Sequence, residues 1–325
     1  MSYIIGVDIG GTKISVVIAR KSGSILEKYV LSTQVKKNAE RSINDILSTI
    51  KMLLKKWKAE KQLEAIGVGV PGAIDPVEGV ISQSPNLPGW AGIPIGKLLQ
   101  RTFHVPIFLD NDANVACLGE KFFGSGKGLK DFIYITVSTG VGGGIVANGR
   151  LLHGARGYAG EIGHMVVHPN GRKCNCGKCG CIEAHASGTA IAKIAQERLR
   201  TLSAAQRKRS KLWKVAKEIN RGLNAYDVEQ AARAGDAMAR AIYKEMGTDL
   251  GLGLSSMIQM FNPQAIIFGG GVMKAYPLFR SAMRKTLKQN VWTVPLRNCS
   301  FMRAKLGVRV ADLGTIALVK ENTRL

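Results

Sequence analysis

Apolar runs closed by glycine turns set the rhythm of this chain. Ile4, Ile5, Val7 and Ile9 predict a buried strand, Gly10–Gly11–Thr12 a turn, and residues 14–18 the returning strand. The pattern recurs at residues 132–146, FIYITVSTGVGGGIV. The same apolar run leads into Ser138–Thr139–Gly140, a glycine-rich turn and a second strand. A repeat at this scale is a duplicated domain core rather than a solenoid period. It predicts two related lobes facing each other.

Between the copies, Ile43, Ile46, Leu47, Ile50 and Leu54 recur at helical spacing, so that face belongs to a core. Residues 65–70 and 105–109 read as short buried strands. The second ends in DNDANVACLGE, where Asp110 or Asp112 suits a helix N-cap and residues 113–120 begin a helix. With Asp110 free to cap, Asp112 is left as a candidate base. Further on, residues 190–199 are helical, and the basic stretch 202–224 reads as a helical insertion or hairpin. Residues 236–261 form a long helix whose Met238, Ile242, Met246, Leu250, Leu254 and Met257 make a core stripe. A strand at 265–268 runs into Gly269–Gly270–Gly271 and another helix, and residues 311–319 form a closing helix.

Length and composition fit that outline. A chain of 325 residues is long enough for about two domains. A hydrophobic content of 46% with 38 glycines indicates a globular α/β protein rich in tight turns. The lobes are placed at 1–115, completed by the C-terminal helix at about 311–325, and at 116–310. Residues 132–148 and 250–273 lack charge, but each is broken by turn residues and reads as two elements rather than one membrane span. The first strand begins at once, with no secretory signal before it. The expectation is a cytoplasmic protein without membrane contact.

The net charge of +23 favours polyanions in general. Basic residues crowd 193–221, yet no nucleic-acid recognition motif accompanies them and aromatics are only 6%. A solvated basic face is the simpler reading, and nucleic acid is not the expected partner.

The densest chemistry lies in EIGHMVVHPNGRKCNCGKCGCIEAHASG, residues 161–188. Four of six cysteines fall between Cys174 and Cys181, downstream of His164 and bracketed by Glu161 and Glu183. They alternate with Gly, Asn and Lys, which no buried strand face does. The economical reading is a tetrahedral zinc held by His164 and three of Cys174, Cys176, Cys179 and Cys181. A filled coordination sphere leaves no place for a catalytic water, so this metal is structural. Disulfides and a reactive thiol cluster are the competing readings. The glycine turns are suited to phosphate, because a backbone without Cβ can take positive φ and turn successive N–H groups onto an anion. Asp8 would repel phosphate unless a cation lay between, so it is read as holding Mg2+ through water. Asn86, between prolines and next to an exposed-looking Trp90, is a candidate sugar contact or an ordinary loop residue.

Taken together these residues resemble the ROK family of sugar kinases and repressors, within the actin–hexokinase (ribonuclease H-like) fold, over nearly the whole chain. DIGGTK, from Asp8 through Gly10, Gly11 and Thr12 to Lys13, is similar to the family's first phosphate loop. STGVGGGI, with Thr139, Gly140, Gly142 and Gly143, resembles the second, and FGGGV, with Gly270 and Gly271, its adenosine loop. DNDAN resembles the catalytic segment. The resemblance implies that Asp112 is the general base and that Asn86, Asn111, Glu161, His164 and Glu183 hold sugar hydroxyls. It assigns the zinc to His164, Cys174, Cys176 and Cys181. Cys179 stands at a usually non-ligand position and is a fourth thiol able to compete.

The implied reaction transfers phosphate from Mg2+-bound ATP to a hexose, with glucose 6-phosphate the first expected product. A carboxylate of ordinary pKa, about 3.9, is a weak base, so proton transfer comes late and positioning does most of the catalysis. The alternatives are an N-acetylhexosamine kinase, a fructokinase, polyphosphate as donor, or a sugar-responsive regulator that binds nucleic acid. The first strand follows Met1 directly, leaving no room for the helix-turn-helix of the family's repressors and favouring the kinase. The family also implies a homo-oligomer, a dimer or tetramer.

Overall fold

The computed structural model describes residues 2–33, 39–75, 79–84 and 87–323. Strand β1 (Tyr3–Ile9) pairs antiparallel with β2 (Lys13–Arg20), which pairs in turn with β3 (Ile25–Ser32). β1 and β2 are buried almost throughout, while β3 alternates half-buried and exposed, as an edge strand does. Helix α1 (Ala39–Lys56) buries Ile43, Ile46, Ile50 and Leu54 of the expected stripe and half-buries Leu47, and it adds Leu53 to the buried face. Strand β4 (Leu63–Val70) lies parallel to β1. After the ribbon of β5 (Ala73–Asp75) and β6 (Val80–Gln83) comes helix α2 (Ile95–Phe103). Strand β7 (Ile107–Asn111) is parallel to β4 and feeds helix α3 (Asp112–Phe123).

The second set opens with β8 (Phe132–Val137), β9 (Val141–Ala147) and the short β10 (Arg150–Leu151). Helices α4 (Ile182–Ala186), α5 (Gly188–Arg200), α6 (Ala204–Arg209), α7 (Lys211–Glu218), α8 (Ala225–Arg233) and α9 (Ala237–Phe261) follow. Then come β11 (Ala265–Gly269), α10 (Tyr276–Asn290), α11 (Thr293–Asn298), β12 (Ser300–Arg303) and α12 (Val310–Asn322). The sheet orders are β3-β2-β1-β4-β7 and β10-β9-β8-β11-β12. Each reads third, second, first, fourth, fifth within its own set, so the duplication seen in the sequence is a duplication of sheet topology.

By contacts the chain forms two units. One comprises Met1–Tyr134, Gly144–Gly160 and Arg303–Leu325; the other comprises Ile135–Gly143 and Glu161–Met302. In the first, strand alternation splits the core. Ile5, Val7, Ile9, Val16 and Ile18 pack with α1 and α2 on one face. Ile4, Val17, Ala19 and Ala65 pack with Ile316 and Val319 of α12 on the other. The helix comes unusually near the sheet there. A Cβ on Gly67 would sit 2.1 Å from the Thr315 carbonyl oxygen, and one on Gly6 would sit 2.1 Å from the Thr315 hydroxyl. In the second unit α9 and α10 approach through Gly247, whose Cβ would meet the Phe279 carbonyl at 2.5 Å.

Two local expectations change, and a third gains detail. Trp90 is fully buried, not exposed: it packs with Ile81, Leu87 and Ile95 in the α1-side core. The N-cap of α3 is Asn111, whose side chain accepts the Ala113 N–H at 2.8 Å, because β7 continues two residues past Leu109. The basic stretch 202–224 resolves into α6 and α7. A Ser203–Gln206 capping box starts the first, and the Ser210 side chain, accepting the Trp213 N–H, starts the second. Arg207 stacks 4.5 Å from the Trp213 ring centre, so part of that charge serves packing. Among the described residues no helix is long and apolar enough to cross a membrane.

Gly67→Ala is expected to destabilise the protein by about 1–3 kcal/mol, since the obstructing atom is backbone and cannot swing away. Gly222→Ala, whose Cβ would meet only Gln196 at 3.6 Å, should stay within about 0.5 kcal/mol of the parent. Urea melts of both variants check this, and equal midpoints would contradict it.

Candidate active site

Each unit carries part of the predicted chemistry. In the first, the turn between β1 and β2 is closed by Gly10 N–H donating to the Lys13 carbonyl at 2.9 Å. Thr33 braces it, its hydroxyl donating to the Gly10 carbonyl at 2.7 Å and its N–H to the Thr12 carbonyl at 3.1 Å. Thr12 and Lys13 are exposed at the tip. Gly10 does not use positive φ, contrary to the expectation; its Cβ would instead press on the Lys13 carbonyl at 3.0 Å. Close approach, not handedness, is what that glycine supplies.

Asp8 lies at the end of β1, opposite Ser15 in the hairpin. Its carboxyl is pushed up to about 7, first by burial, then by the charges of Asp112 and Asp312, against the pull of Lys28 and Lys13. Asp312, buried on α12, accepts from the Ser15 hydroxyl at 2.6 Å and from Lys28 at 2.5 Å. Asp8 thus feels the negative charge of both Asp112 and Asp312, which a divalent cation would relieve.

The strand end at β7 differs from its reading in the sequence. Asp110 is 4% exposed and is no cap. It accepts the Asn111 N–H at 2.7 Å and the Asn114 amide at 2.9 Å, and its other oxygen lies 2.7 Å from His153 Nε2. Asn111 caps α3 and also donates its amide to the Gly72 carbonyl at 2.8 Å. Asp112 therefore occupies the first position of α3, exposed, on a turn tied down on both sides. A carboxylate there is favoured by the helix dipole. Asn86 lies outside the described residues.

In the second unit the turn between β8 and β9 is braced in the same manner. The Ser138 carbonyl accepts the Gly188 N–H at 2.8 Å, and the Thr139 carbonyl accepts from the N–H and hydroxyl of Thr189 at 3.2 and 2.9 Å. Glu183, on α4, reaches this turn and accepts the Val141 N–H at 3.0 Å. It can do so because Gly140 has no side chain: a Cβ there would stand 2.4 Å from the Glu183 oxygen. Gly142 and Gly143 follow within β9. Gly270 has φ of 89°, and its Cβ would stand 2.2 Å from the Val137 carbonyl, so only glycine fits. Beside it a Cβ on Gly271 would meet nothing within 4 Å.

The cysteine loop brings His164, Cys174, Cys176 and Cys181 together, their ligand atoms all within 4.8 Å of one another. His164 Nδ1 faces Cys174 Sγ at 3.8 Å, and the sulfurs of Cys176 and Cys181 are 3.7 Å apart. These four could hold a metal ion. Cys179 is exposed and outside the group. Burial pushes Cys174 up to about 12 and raises Cys181, while the Lys178 N–H lowers Cys176. Two of the thiols would thus stay protonated at neutral pH without a cation to displace the proton. His164 Nε2 points the other way, 4.0 Å from Glu161, which is half exposed. Glu183, besides its bond to Val141, receives the Cys174 thiol at 3.6 Å.

Sequence reasoning missed what anchors this loop. His168 Nε2 lies 2.8 Å and His185 Nδ1 3.5 Å from the two oxygens of Asp249 on α9, and His185 Nε2 accepts the Arg172 N–H at 3.2 Å. The available signal was an acid set inside an apolar helical stripe. Asp312 gave the same signal in α12. His153 gave none.

The ROK family model matches residues 4–322. The chain is 37% identical to a glucokinase of Halalkalibacterium halodurans, over 98% of this chain and 95% of that protein. It is 30% identical to a xylose repressor of Caldicellulosiruptor bescii, over 97% of this chain and 77% of that protein. Among solved structures, a ROK family glucokinase from Streptomyces griseus in complex with glucose and AMPPNP is 31% identical. That match covers 98% of this chain and 99% of that one, with a TM-score of 0.76. The duplicated sheet is the actin/hexokinase-like fold of such kinases, and the chain belongs to the ROK family.

Proposed function

We propose that the protein is an ATP-dependent hexose kinase that converts glucose to glucose 6-phosphate. The observation that carries the proposal is the end of β7. There, an exposed carboxylate, Asp112, is held on a capped turn within electrostatic reach of Asp8 and the first glycine hairpin. The full-length likeness to a glucokinase supports glucose as the acceptor and ATP as the donor.

In this reading Asp112 accepts the proton of the sugar's primary hydroxyl as that oxygen attacks the γ-phosphorus. Asn111, Glu161, His164 and Glu183 bond sugar hydroxyls, and Asn86 joins them. A site built on such bonds rejects analogues lacking the hydroxyl. The turns at Gly10–Lys13 and Thr139–Gly143 bond the phosphates, and Gly270–Gly271 leave room for the nucleoside. Mg2+, held through water by Asp8, would neutralise charge on the phosphate oxygens. Burial raises the Asp8 carboxyl first and the charges of Asp112 and Asp312 add to it, and that excess of negative charge supports a cation there.

We further infer that the ion at His164, Cys174, Cys176 and Cys181 is a structural zinc. Zn–S bonds of about 2.3 Å give tetrahedral S···S edges of about 3.8 Å, close to the 3.7 Å between Cys176 and Cys181. Ligation through Nδ1 would leave His164 Nε2 for the sugar side. Reduced thiols and ATP both belong to the cytoplasm, where this reading puts the enzyme, as a homo-oligomer.

A second reading, a sugar-responsive regulator, draws on the xylose repressor relative. A gel shift with genomic fragments, run beside a kinase assay, separates the two. N-acetylhexosamines and fructose remain alternative acceptors, and polyphosphate an alternative donor.

Asp112→Asn should lower kcat about 10²–10⁴-fold while glucose affinity, measured calorimetrically, changes little. Near-normal turnover would remove Asp112 from the role. Freshly purified protein should contain about one zinc per chain. Cys176→Ala or a strong chelator should lower the melting temperature and weaken glucose binding. Metal analysis finding no zinc would overturn the assignment.

A further inference from the structure

The Asp110 carboxylate is a hub. One oxygen binds the Asn111 N–H and the Asn114 amide, and the other lies 2.7 Å from His153 Nε2. It thereby joins the end of β7, the first turn of α3 and the segment after β10. Asp112 sits between two of the residues so held. Among the described residues, His153 is the basic side chain that faces Asp110, charged when protonated. A buried carboxylate is costly unless paired and hydrogen-bonded, so this contact decides how firmly the turn is fixed.

Asp110 faces His153 from β7, and Glu321 faces it from α12. Glu321 is itself tied through both oxygens to Lys121 of α3 at 2.7 Å, and it accepts the Leu151 N–H at 3.5 Å. The nearby Cys117 thiol is fully buried and raised far above its ordinary range, so it stays neutral. The Asp110 bond raises the imidazole's pKa, against the effect of burial. The sign follows: the charged, stronger form of the contact is present below the raised pKa and lost as pH climbs through it. The neutral imidazole still donates from Nε2, but without the charge.

We propose that His153 is a positioning residue for phosphoryl transfer: by gripping Asp110 it holds the Asn111–Asp112 turn in the orientation in which Asp112 meets the sugar hydroxyl. This rests on the reading of Asp112 as the base. No contact of His153 with substrate is required. The role differs from that of a folding staple because the turn it restrains carries the proton acceptor. A small displacement there costs rate rather than affinity.

The test uses the full-length enzyme with His153→Ala, His153→Gln and, in parallel, Asp112→Asn. His153→Ala should lower kcat about 10- to 100-fold, with KM for glucose and ATP within about 3-fold of the parent. His153→Gln, which keeps a neutral donor, should recover most of kcat, and its profile should lack the alkaline decline in kcat expected of the parent. NMR titration of the His153 imidazole should give a pKa above the usual histidine range of about 6.5, falling in Asp110→Asn. Should His153→Ala fail to fold, His153→Gln and the titration still decide. Parental kcat and an unchanged pH profile in the histidine variants would overturn the proposal. So would an imidazole titration indifferent to Asp110→Asn. If Asp112→Asn stays active, the base assignment falls instead. An inactive Asp112→Asn beside parental histidine variants sinks only the positioning role.

Discussion

The near contact of the C-terminal helix with the first sheet is the constraint on which much of the first unit depends. Thr315 lies against Gly6 and Gly67 at a distance that no Cβ would permit. One turn earlier, Asp312 is delivered onto the same sheet face, where it meets Ser15 and Lys28 and acts on Asp8. The helix also meets α3 closely, because a Cβ on Gly314 would stand 2.3 Å from the Val115 carbonyl. At its far end Glu321 grips Lys121. One helix thus fixes both segments that bear the Asp8 and Asp112 carboxylates. Packing thus sets the electrostatics of Asp8.

The second unit solves a similar problem with other parts. A carboxylate, Glu183, reaches a backbone N–H of a hairpin because a glycine stands aside. The segment before and within α4 gathers His164, Cys174, Cys176 and Cys181 into one group and sets His168 and His185 against Asp249 of α9. In both units a hydroxyl-bearing residue, Thr33 or Thr189, braces the glycine turn from outside it.

Much of this was legible in the sequence, for a physical reason. Hydrophobic period and glycine placement are local, and they gave the paired hairpins, the α1 stripe, the long α9 and the duplicated design. Spacing within eight residues singled out four cysteines beside His164 without choosing among them, and only the family resemblance set Cys179 apart from the three that the structure groups. What could not be read depends on long-range partners. Asp110 looked like a cap because capping is the commonest use of an acid before a helix; its real partner, His153, is 43 residues away. Trp90 looked exposed because prolines and a glycine surround it, yet it is fully buried in the core that includes Ile81, Leu87 and Ile95. Positive φ was one use expected of the turn glycines, and Gly10 does not take it; a Cβ there would press on the Lys13 carbonyl.

The account stands or falls on phosphoryl transfer by the intact chain. The most direct measurement is 31P NMR of reactions combining glucose, N-acetylhexosamines or fructose with ATP or polyphosphate, in the presence of Mg2+. The account predicts a hexose 6-phosphate that accumulates with ATP, fastest from glucose. A folded, zinc-replete preparation that makes no sugar phosphate from any combination would contradict it.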